Sequence, residues 1–155
     1  MSEQDRKQED ISKNIYFISG HLDLSDENFE TYYKPLLNLA IEQKCSFVVG
    51  DAKGADAKAQ NYLWERSKQD PSIRGRVTVY HIGEKPRNNP GFQTKSGFIG
   101  DDHRDVNMTK DSTDDILWIR SAEEAKKLYG KKFNLKRISG TEQNKLRRLK
   151  MNSGE

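Results

Sequence analysis

Short apolar runs along the chain alternate with longer segments whose apolar residues recur at helical spacing. The short runs are rich in β-branched and aromatic residues, and they predict four strands, at Ile15–Ile18, Ser46–Val49, Arg76–Ile82 and Asp115–Ile119. Because these runs are continuous rather than alternating with polar residues, they are typical of a parallel sheet that is buried on both faces. We therefore expect an α/β fold: a doubly wound, mainly parallel sheet of four to five strands with helices on both faces.

The segments between the strands predict helices at Glu27–Gln43, Ala57–Lys68, Asp102–Lys110, Ser121–Tyr129 and Thr141–Lys150. Asp26 is placed to cap the first of these. Pro35 interrupts the same segment, which predicts either a kink or two short helices. Ser121 and Glu124 form the pattern of a capping box at the start of the fourth helix.

Residues 83–101 are rich in glycine, proline and asparagine, and they predict a long loop. Loops of this length in a compact domain are usually functional or mobile. Two aromatic residues, Phe92 and Phe98, lie inside it. We expect one of them to stack on a ligand base or to cover a dimer interface, rather than to join the core.

The chain has 155 residues, 33% of them hydrophobic and 33% charged, which fits one domain with one core. We expect this domain to span 14–150, between disordered tails at 1–13 and 151–155. No apolar run approaches the ~20 residues of a membrane helix, and the first residues hold no stretch typical of a signal peptide. The single cysteine, Cys45, excludes an internal disulfide and a multi-cysteine zinc site. We therefore expect a cytoplasmic protein that needs no metal or other cofactor and makes no membrane contact.

Positive charge is concentrated near the end of the sequence. Residues 126–150 hold ten lysines and arginines but one acid, Glu142, whereas the whole chain has a net charge of +3. Such a segment favours an anionic partner, and a nucleotide, a nucleic acid or an acidic protein would each fit. The alternative is a solvated basic helix with no partner.

The strongest local motif is the run from Gly50 to Asp56, with the sequence GDAKGAD, between a predicted strand and a predicted helix. Glycines let a backbone approach a ligand closely, and the free amides at a helix start attract anions. Lys53 could add a positive charge over a phosphate. The motif is neither a G-x-G-x-x-G fingerprint nor a P-loop. The alternative is a tight turn in which Asp56 caps the helix.

Two further motifs lie at predicted helices. Arg104 can hold a phosphate or a carboxylate with two hydrogen bonds, and Asp105 could bind ribose hydroxyls or act as a general base. The run from Ser139 to Asn144, SGTEQN, offers hydroxyls and a glycine at a helix start. The alternatives are a surface ion pair for the first motif and an ordinary helix cap for the second.

Together these motifs resemble the SLOG superfamily of Rossmann-like nucleotide-binding proteins. That superfamily includes the Lonely Guy phosphoribohydrolases, DprA-like domains and nucleoside-phosphate N-hydrolases. The resemblance covers Ile15 to Arg148, and it rests on Ser19-Gly20-His21, VVGDAKGADAKA at Val48–Ala59, RDVNM at Arg104–Met108, and SGTEQN at the last motif.

The resemblance implies a nucleotide or nucleotide derivative at the carboxyl ends of the strands. The candidate ligand-binding residues are Ser19, Gly20, His21, Gly50, Asp51, Lys53, Gly54, Ala55, Asp56, Arg104, Asp105, Ser139, Gly140, Thr141 and Asn144. Asp105 falls where related N-hydrolases carry an acid that contacts the substrate. The resemblance also favours a homodimer with its site near the interface.

One departure bears on catalysis. The phosphoribohydrolases have a catalytic glutamate three residues after the threonine of the last motif, and this chain has Asn144 there. Asparagine can bond a ribose, but it is neither a nucleophile nor a general base. Residues 120–138 also separate the fourth strand from this motif, whereas the two adjoin in the phosphoribohydrolases.

Three hypotheses follow. The first is a protein that binds a nucleotide to sense, sequester or carry it. The second is a hydrolase of nucleoside 5′-phosphates in which Asp105 or Asp56 supplies the catalytic carboxylate, with Arg104 on the phosphate. The third is a binder of single-stranded nucleic acid that uses the basic segment Lys126–Lys150.

Overall fold

The computed structural model describes residues 2–3, 10–132 and 139–154. Its five strands are β1 (Ile15–Ile18), β2 (Ser46–Val49), β3 (Val77–Ile82), β4 (Gln93–Phe98) and β5 (Asp114–Ile116). All neighbouring strands are parallel, in the order β4-β3-β2-β1-β5. The expected α/β fold with a doubly wound parallel sheet is therefore confirmed.

Within the described residues, six helices of seven residues or more surround the sheet: α1 (Asp26–Tyr32), α2 (Lys34–Glu42), α3 (Ala55–Gln69), α4 (Asp101–Asp111), α5 (Ala122–Tyr129) and α6 (Gly140–Asn152). The segment around Pro35 does form two short helices. The proline lies in the first turn of α2, where its missing N–H costs nothing. Ser121 caps α5 and accepts a hydrogen bond from the Glu124 amide, as the capping-box pattern predicted.

Each face of the sheet has its own core. The larger core packs α1, α2 and α3 on one face, through residues such as Phe29, Leu37 and Leu63. The smaller core lies on the opposite face, where Met108 of α4 contacts Phe17, Val48 and Tyr80. The last helix, α6, packs beside α4 and β5.

The strand order reverses between β1 and β5. From β1 to β4 the chain builds the sheet in one direction, and it then crosses over to place β5 on the other side of β1. Helices α1, α2 and α3 lie on one face of the sheet, and α4 and α6 lie on the other. This is the arrangement that crossovers of a single hand require when the direction of sheet building reverses. In such sheets a crevice opens outside the carboxyl ends of the two strands at the reversal, and ligands bind there. The loops after β1 and β5 border this crevice.

The prediction of one long loop at 83–101 was wrong in part, because β4 forms within it. Phe92 is buried in the larger core against Trp64, with ring centroids 5.2 Å apart. Phe98 stacks on Tyr80 at 5.5 Å. Both aromatic rings therefore serve packing, which corrects the expectation that no core explains them.

The fifth strand is shorter than predicted, ending at Ile116 instead of Ile119. Beyond that point the Trp118 amide donates to the hydroxyl of Tyr33 at 3.1 Å, not to a neighbouring strand. The chain thus leaves the sheet after Ile116 and packs against Tyr33 of the loop between α1 and α2.

The predicted tails lie partly outside the described residues. Residues 10–12 are helical, and Ile11 packs against the larger core. At the other end α6 continues to Asn152. Within the described residues, no helix is both long and apolar enough to cross a membrane.

Candidate functional site

The loops after β1 and β2 pack directly on each other. The Ala55 amide donates to the His21 carbonyl at 3.1 Å. Gly54 has a φ of +76°, and a Cβ there would lie 2.4 Å from the carbonyl oxygens of His21 and Leu22. A Cβ on Gly20 would lie 2.4 Å from the Cβ of Ala55. Gly20 and Gly54 therefore provide close contact between two protein loops, a role that the motif alone did not indicate.

Gly50 lies beneath a buried carboxyl and a guanidinium. A Cβ at this position would be 2.6 Å from Asp56 Oδ2 and 2.8 Å from Arg104 Cζ. Asp56 Oδ2 also accepts a hydrogen bond from the Ala52 amide at 3.2 Å. Burial raises the pKa of Asp56 to about 7 despite the nearby positive charge of Arg104, and Asp105 adds to the rise.

Arg104 is held by three carboxylates. Its Nη1 lies 2.9 Å from Asp51 Oδ1 and 3.1 Å from Asp101 Oδ1. Its Nε and Nη2 both donate to Asp105 Oδ1, at 3.0 and 2.9 Å. Because all three nitrogens contact carboxylates and the residue is 5% exposed, Arg104 organises the site instead of facing solvent.

A second arginine reaches the same buried carboxylate from the β3–β4 connection. Arg87 Nη2 donates to Asp51 Oδ1 at 2.8 Å and to Asp101 Oδ1 at 2.7 Å. Its backbone N–H donates to Asp51 Oδ2 at 2.8 Å. Hydrogen bonds and charge from Arg87 hold the pKa of Asp51 below its ordinary value, although burial opposes this.

Asp105 joins this cluster to the last helix. Its Oδ2 accepts a hydrogen bond from Asn144 Nδ2 at 3.2 Å. Asn144 is itself buried, and its Oδ1 accepts from Arg147 at 2.6 Å. Two motifs that lie 39 residues apart in sequence are therefore in contact.

Ser19 directly follows β1, next to this cluster. The register of β1 and β2 pairs Ile18 with Val49, which places Ser19 opposite Gly50. Its side chain lies on the same face as Phe17, the face covered by α4 and α6. The Oγ is buried and has no hydrogen-bond partner among the described residues. A buried hydroxyl of this kind is a free donor and acceptor for a bound molecule.

The start of α6 is capped from within the chain. The Ser139 hydroxyl accepts a hydrogen bond from the Glu142 amide at 3.1 Å. Thr141 is buried, whereas Gly140 is exposed, with open space where a Cβ would stand. The ordinary helix cap is thus present, and Asn144 is the residue of this motif that reaches the cluster.

At the strand reversal the loops after β1 and β5 contact each other through His21 of the predicted motif and through Asp23, Arg120 and Tyr129, which the motifs did not single out. The Arg120 amide donates to Nε2 of His21 at 2.9 Å, so the imidazole is an acceptor there and is neutral. Burial, and next the charge of Arg120, lower the pKa of His21. Arg120 also pairs with Asp23 at 3.0 Å, and the hydroxyl of Tyr129 donates to the same aspartate at 2.9 Å.

Sequence reasoning missed Arg87, Arg120 and Tyr33. Arg87 is the one arginine in 83–101, the segment already expected to be functional, so its charge was an available signal. The buried Tyr33 hydroxyl donates to the Ser19 carbonyl at 2.8 Å, and its helical position predicted core packing alone. Lys53 is exposed beside this site.

One arginine of the basic segment Lys126–Lys150 is buried inside the protein. Arg148 is buried and contacts Asp115 at 3.0 Å, together with the carbonyls of Thr109 and Ser112. It therefore fixes α6 to the sheet and is not exposed to a nucleic acid. Residues 133–138 of the same segment lie outside the described residues.

Comparison with known proteins returned no match from protein-family models, from curated proteins or from solved structures.

Proposed function

We propose that the protein binds a nucleotide or nucleotide derivative at the carboxyl edge of the sheet, as the SLOG-like motifs suggest. The ligand would lie across the ends of β1, β2 and β5, between the loop that follows β1 and the first turns of α6. The protein would sense, sequester or carry it.

One observation carries this proposal. Arg104, Asp105 and Asn144 connect the GDAKGAD loop to the last helix through side-chain contacts, at the edge where doubly wound sheets take their ligands. Two of these residues are buried although they are polar or charged. Charged groups whose pKa values are shifted by burial and by neighbouring charges cluster at functional sites, and Asp51 and Asp56 of this network have such shifts.

The groups at this edge suit a sugar better than a free phosphate. Asp105 and Asn144 offer oxygen and nitrogen atoms that pair with ribose hydroxyls, and the unpartnered Ser19 hydroxyl lies on the same face. The guanidinium of Arg104 is already neutralised by Asp51 and Asp105. The expectation that Arg104 holds a phosphate is therefore replaced in this proposal by a supporting role.

Hydrolysis of the N-glycosidic bond is a second candidate function. Asp56 has a pKa of about 7, which suits a proton donor at neutral pH, while Asp105 accepts two hydrogen bonds from Arg104. Two carboxyl groups in unlike environments are the pattern of a general acid paired with a carboxylate that stabilises positive charge. The expected homodimer and the nucleic-acid alternative remain predictions.

The test is mass spectrometry of the purified protein after incubation with a mixture of nucleotides, which compares what is retained with what is converted. We expect an intact nucleotide to be retained. Release of a free base together with a sugar phosphate would instead favour the hydrolase, provided that Asp105→Asn and Asp56→Asn abolish it.

Asn144→Ala is the variant that tests this proposal, and Asn107→Ala is its matched control. Asn107 lies on α4 and bonds the His103 carbonyl at 2.8 Å, away from the contact with Asp105. Asn144→Ala should lower the amount of nucleotide retained, and Asn107→Ala should not. Equal retention by both variants, or none by the native protein, would contradict the proposal.

A further inference from the structure

The structure assigns a phosphate subsite to the cleft over the β2–α3 loop, where Lys53 and Arg87 would hold the anionic group of the ligand from opposite sides. This inference rests on the proposed function, because it names where the phosphate of the bound nucleotide lies. It adds Arg87 and the β3–β4 connection, which no motif indicated, to the site.

The cleft has a volume of about 250 Å³. Its lining residues come from three loops, and they are Leu22, Asp51, Ala52, Lys53, Arg87 and Asn88. A volume of this size is large enough for a phosphate or a sugar phosphate. Three residues of the Gly50–Asp56 motif line it, and Arg104 connects one of them, Asp51, to Asp105 of the proposed sugar site.

The charges that line the cleft favour an anion. Lys53 is exposed and forms no salt bridge among the residues that the structure describes. Arg87 is half exposed, with 46% of its side chain accessible. The one acid in the lining, Asp51, is fully buried and already contacts both Arg87 and Arg104. Asp101 lies outside the lining but also pairs with Arg87, so the positive charge of the lining that no carboxylate pairs among the described residues is that of Lys53.

Arg87 is held ready for a ligand by the protein. Asp51 fixes its backbone N–H and its Nη2, and Asn88 Nδ2 donates to the Asp51 carbonyl at 3.1 Å. Within the described residues, every side-chain bond of Arg87 comes from Nη2. Its Nη1 and Nε carry no hydrogen bond within the described residues, so Nη1 can donate to an anion in the cleft while Nη2 stays on Asp51 and Asp101.

Arg104 has no guanidinium nitrogen left for an anion. All its guanidinium nitrogens contact carboxylates, and 6% of its side chain is exposed. Of the two arginines on Asp51, the half-exposed one is therefore the phosphate ligand, and the buried one holds the carboxylates in place.

The experiment compares the affinities of AMP, GMP, CMP and UMP with those of the matching nucleosides, by calorimetry. The variants are Arg87→Gln, Lys53→Gln and the control Lys85→Gln, which removes an exposed charge two residues from Arg87. A hydrogen bond to a charged group is strong enough that its loss costs about tenfold in affinity. We expect Arg87→Gln and Lys53→Gln each to weaken nucleotide binding about tenfold and to leave nucleoside binding unchanged. Lys85→Gln should change neither.

Two results would overturn the subsite while leaving the proposed function intact. One is an equal loss of nucleotide and nucleoside affinity in both variants, and the other is unchanged nucleotide binding. Arg87→Gln could lower affinity by disturbing the fold, because Arg87 contacts buried Asp51. Lys53 is exposed, so a loss of affinity in Lys53→Gln reports on the subsite itself.

If the native protein binds no nucleotide and no nucleoside, the proposed function fails, and the subsite is then tested alone. Broadening of the ³¹P signals of inorganic phosphate and pyrophosphate should occur with native protein and with Lys85→Gln, but not with Lys53→Gln. Absence of broadening with native protein would overturn the subsite as well.

Discussion

Replacement of Asp56 by asparagine should make the stability of the protein less dependent on pH. Asp56 lies buried beside Gly50, and burial raises its pKa from the ordinary 3.8 to about 7. Asparagine has nearly the same shape, and its amide oxygen can still accept the hydrogen bond from the Ala52 amide. The variant therefore mimics the protonated carboxyl and removes the titration.

The direction and the size of this pH dependence follow from the raised pKa of Asp56. The folded state binds the proton more tightly than the unfolded state, so the native protein gains stability from Asp56 below pH 3.8 and loses it as the pH rises to about 7. Each pH unit in this window is worth about 1.4 kcal/mol. The free energy of unfolding of Asp56→Asn, relative to native, should therefore rise by about 3–4 kcal/mol between pH 4 and pH 8.

The assay is urea unfolding of both proteins between pH 4 and pH 8.5, followed by the fluorescence of Trp64 and Trp118. Asp102→Asn is the control, because Asp102 is an exposed aspartate on the same edge. Its unfolding free energy should stay parallel to that of the native protein. Parallel curves for Asp56→Asn and native protein would refute the reasoning, since the carboxyl would then titrate normally in the folded state.

Three substitutions test how the site is held together, and each is measured by chemical unfolding. Gly54→Ala should cost about 3 kcal/mol or more, because of its positive φ and its contact with the backbone after β1, whereas Gly140→Ala, in open space, should cost little. Tyr33→Phe should cost about 2–4 kcal/mol, since its hydroxyl bonds two backbone groups. Arg148→Met should cost about 3–5 kcal/mol, because it leaves Asp115 buried without its ion pair. A loss below 1 kcal/mol for Gly54→Ala, Tyr33→Phe or Arg148→Met would contradict the corresponding contact.

Local pattern was enough to predict most of the elements. The strands at Ile15–Ile18 and Ser46–Val49 have the predicted bounds, because a buried parallel strand is a continuous apolar run whose ends are marked by polar or glycine residues. The split at Pro35 follows from a missing N–H. Strand β4 escaped prediction since its side chains are mostly exposed, so the sequence QTKSGF has no apolar signal.

The motifs named several residues that the structure brings together, but not the contacts between them. Gly50 and Asp51 stood out because they follow a strand, and position at a strand end is a local property. The pairing of Asp51 with Arg87 joins residues 36 apart, and it depends on how the β3–β4 connection folds back. Only the tertiary structure places the two arginines on one carboxylate and tells the buried one from the exposed one.

The most direct test of nucleotide binding at the carboxyl edge is a map of backbone amide chemical shifts of ¹⁵N-labelled protein, with and without a 5′-nucleotide retained from the mixture. We predict that shifts change together in the loops after β1 and β2 and in the first turns of α6, around Ser19–His21, Gly50–Asp56 and Thr141–Asn144. Changes confined to the exposed lysines of the last helix, or no change with any nucleotide, would contradict the account.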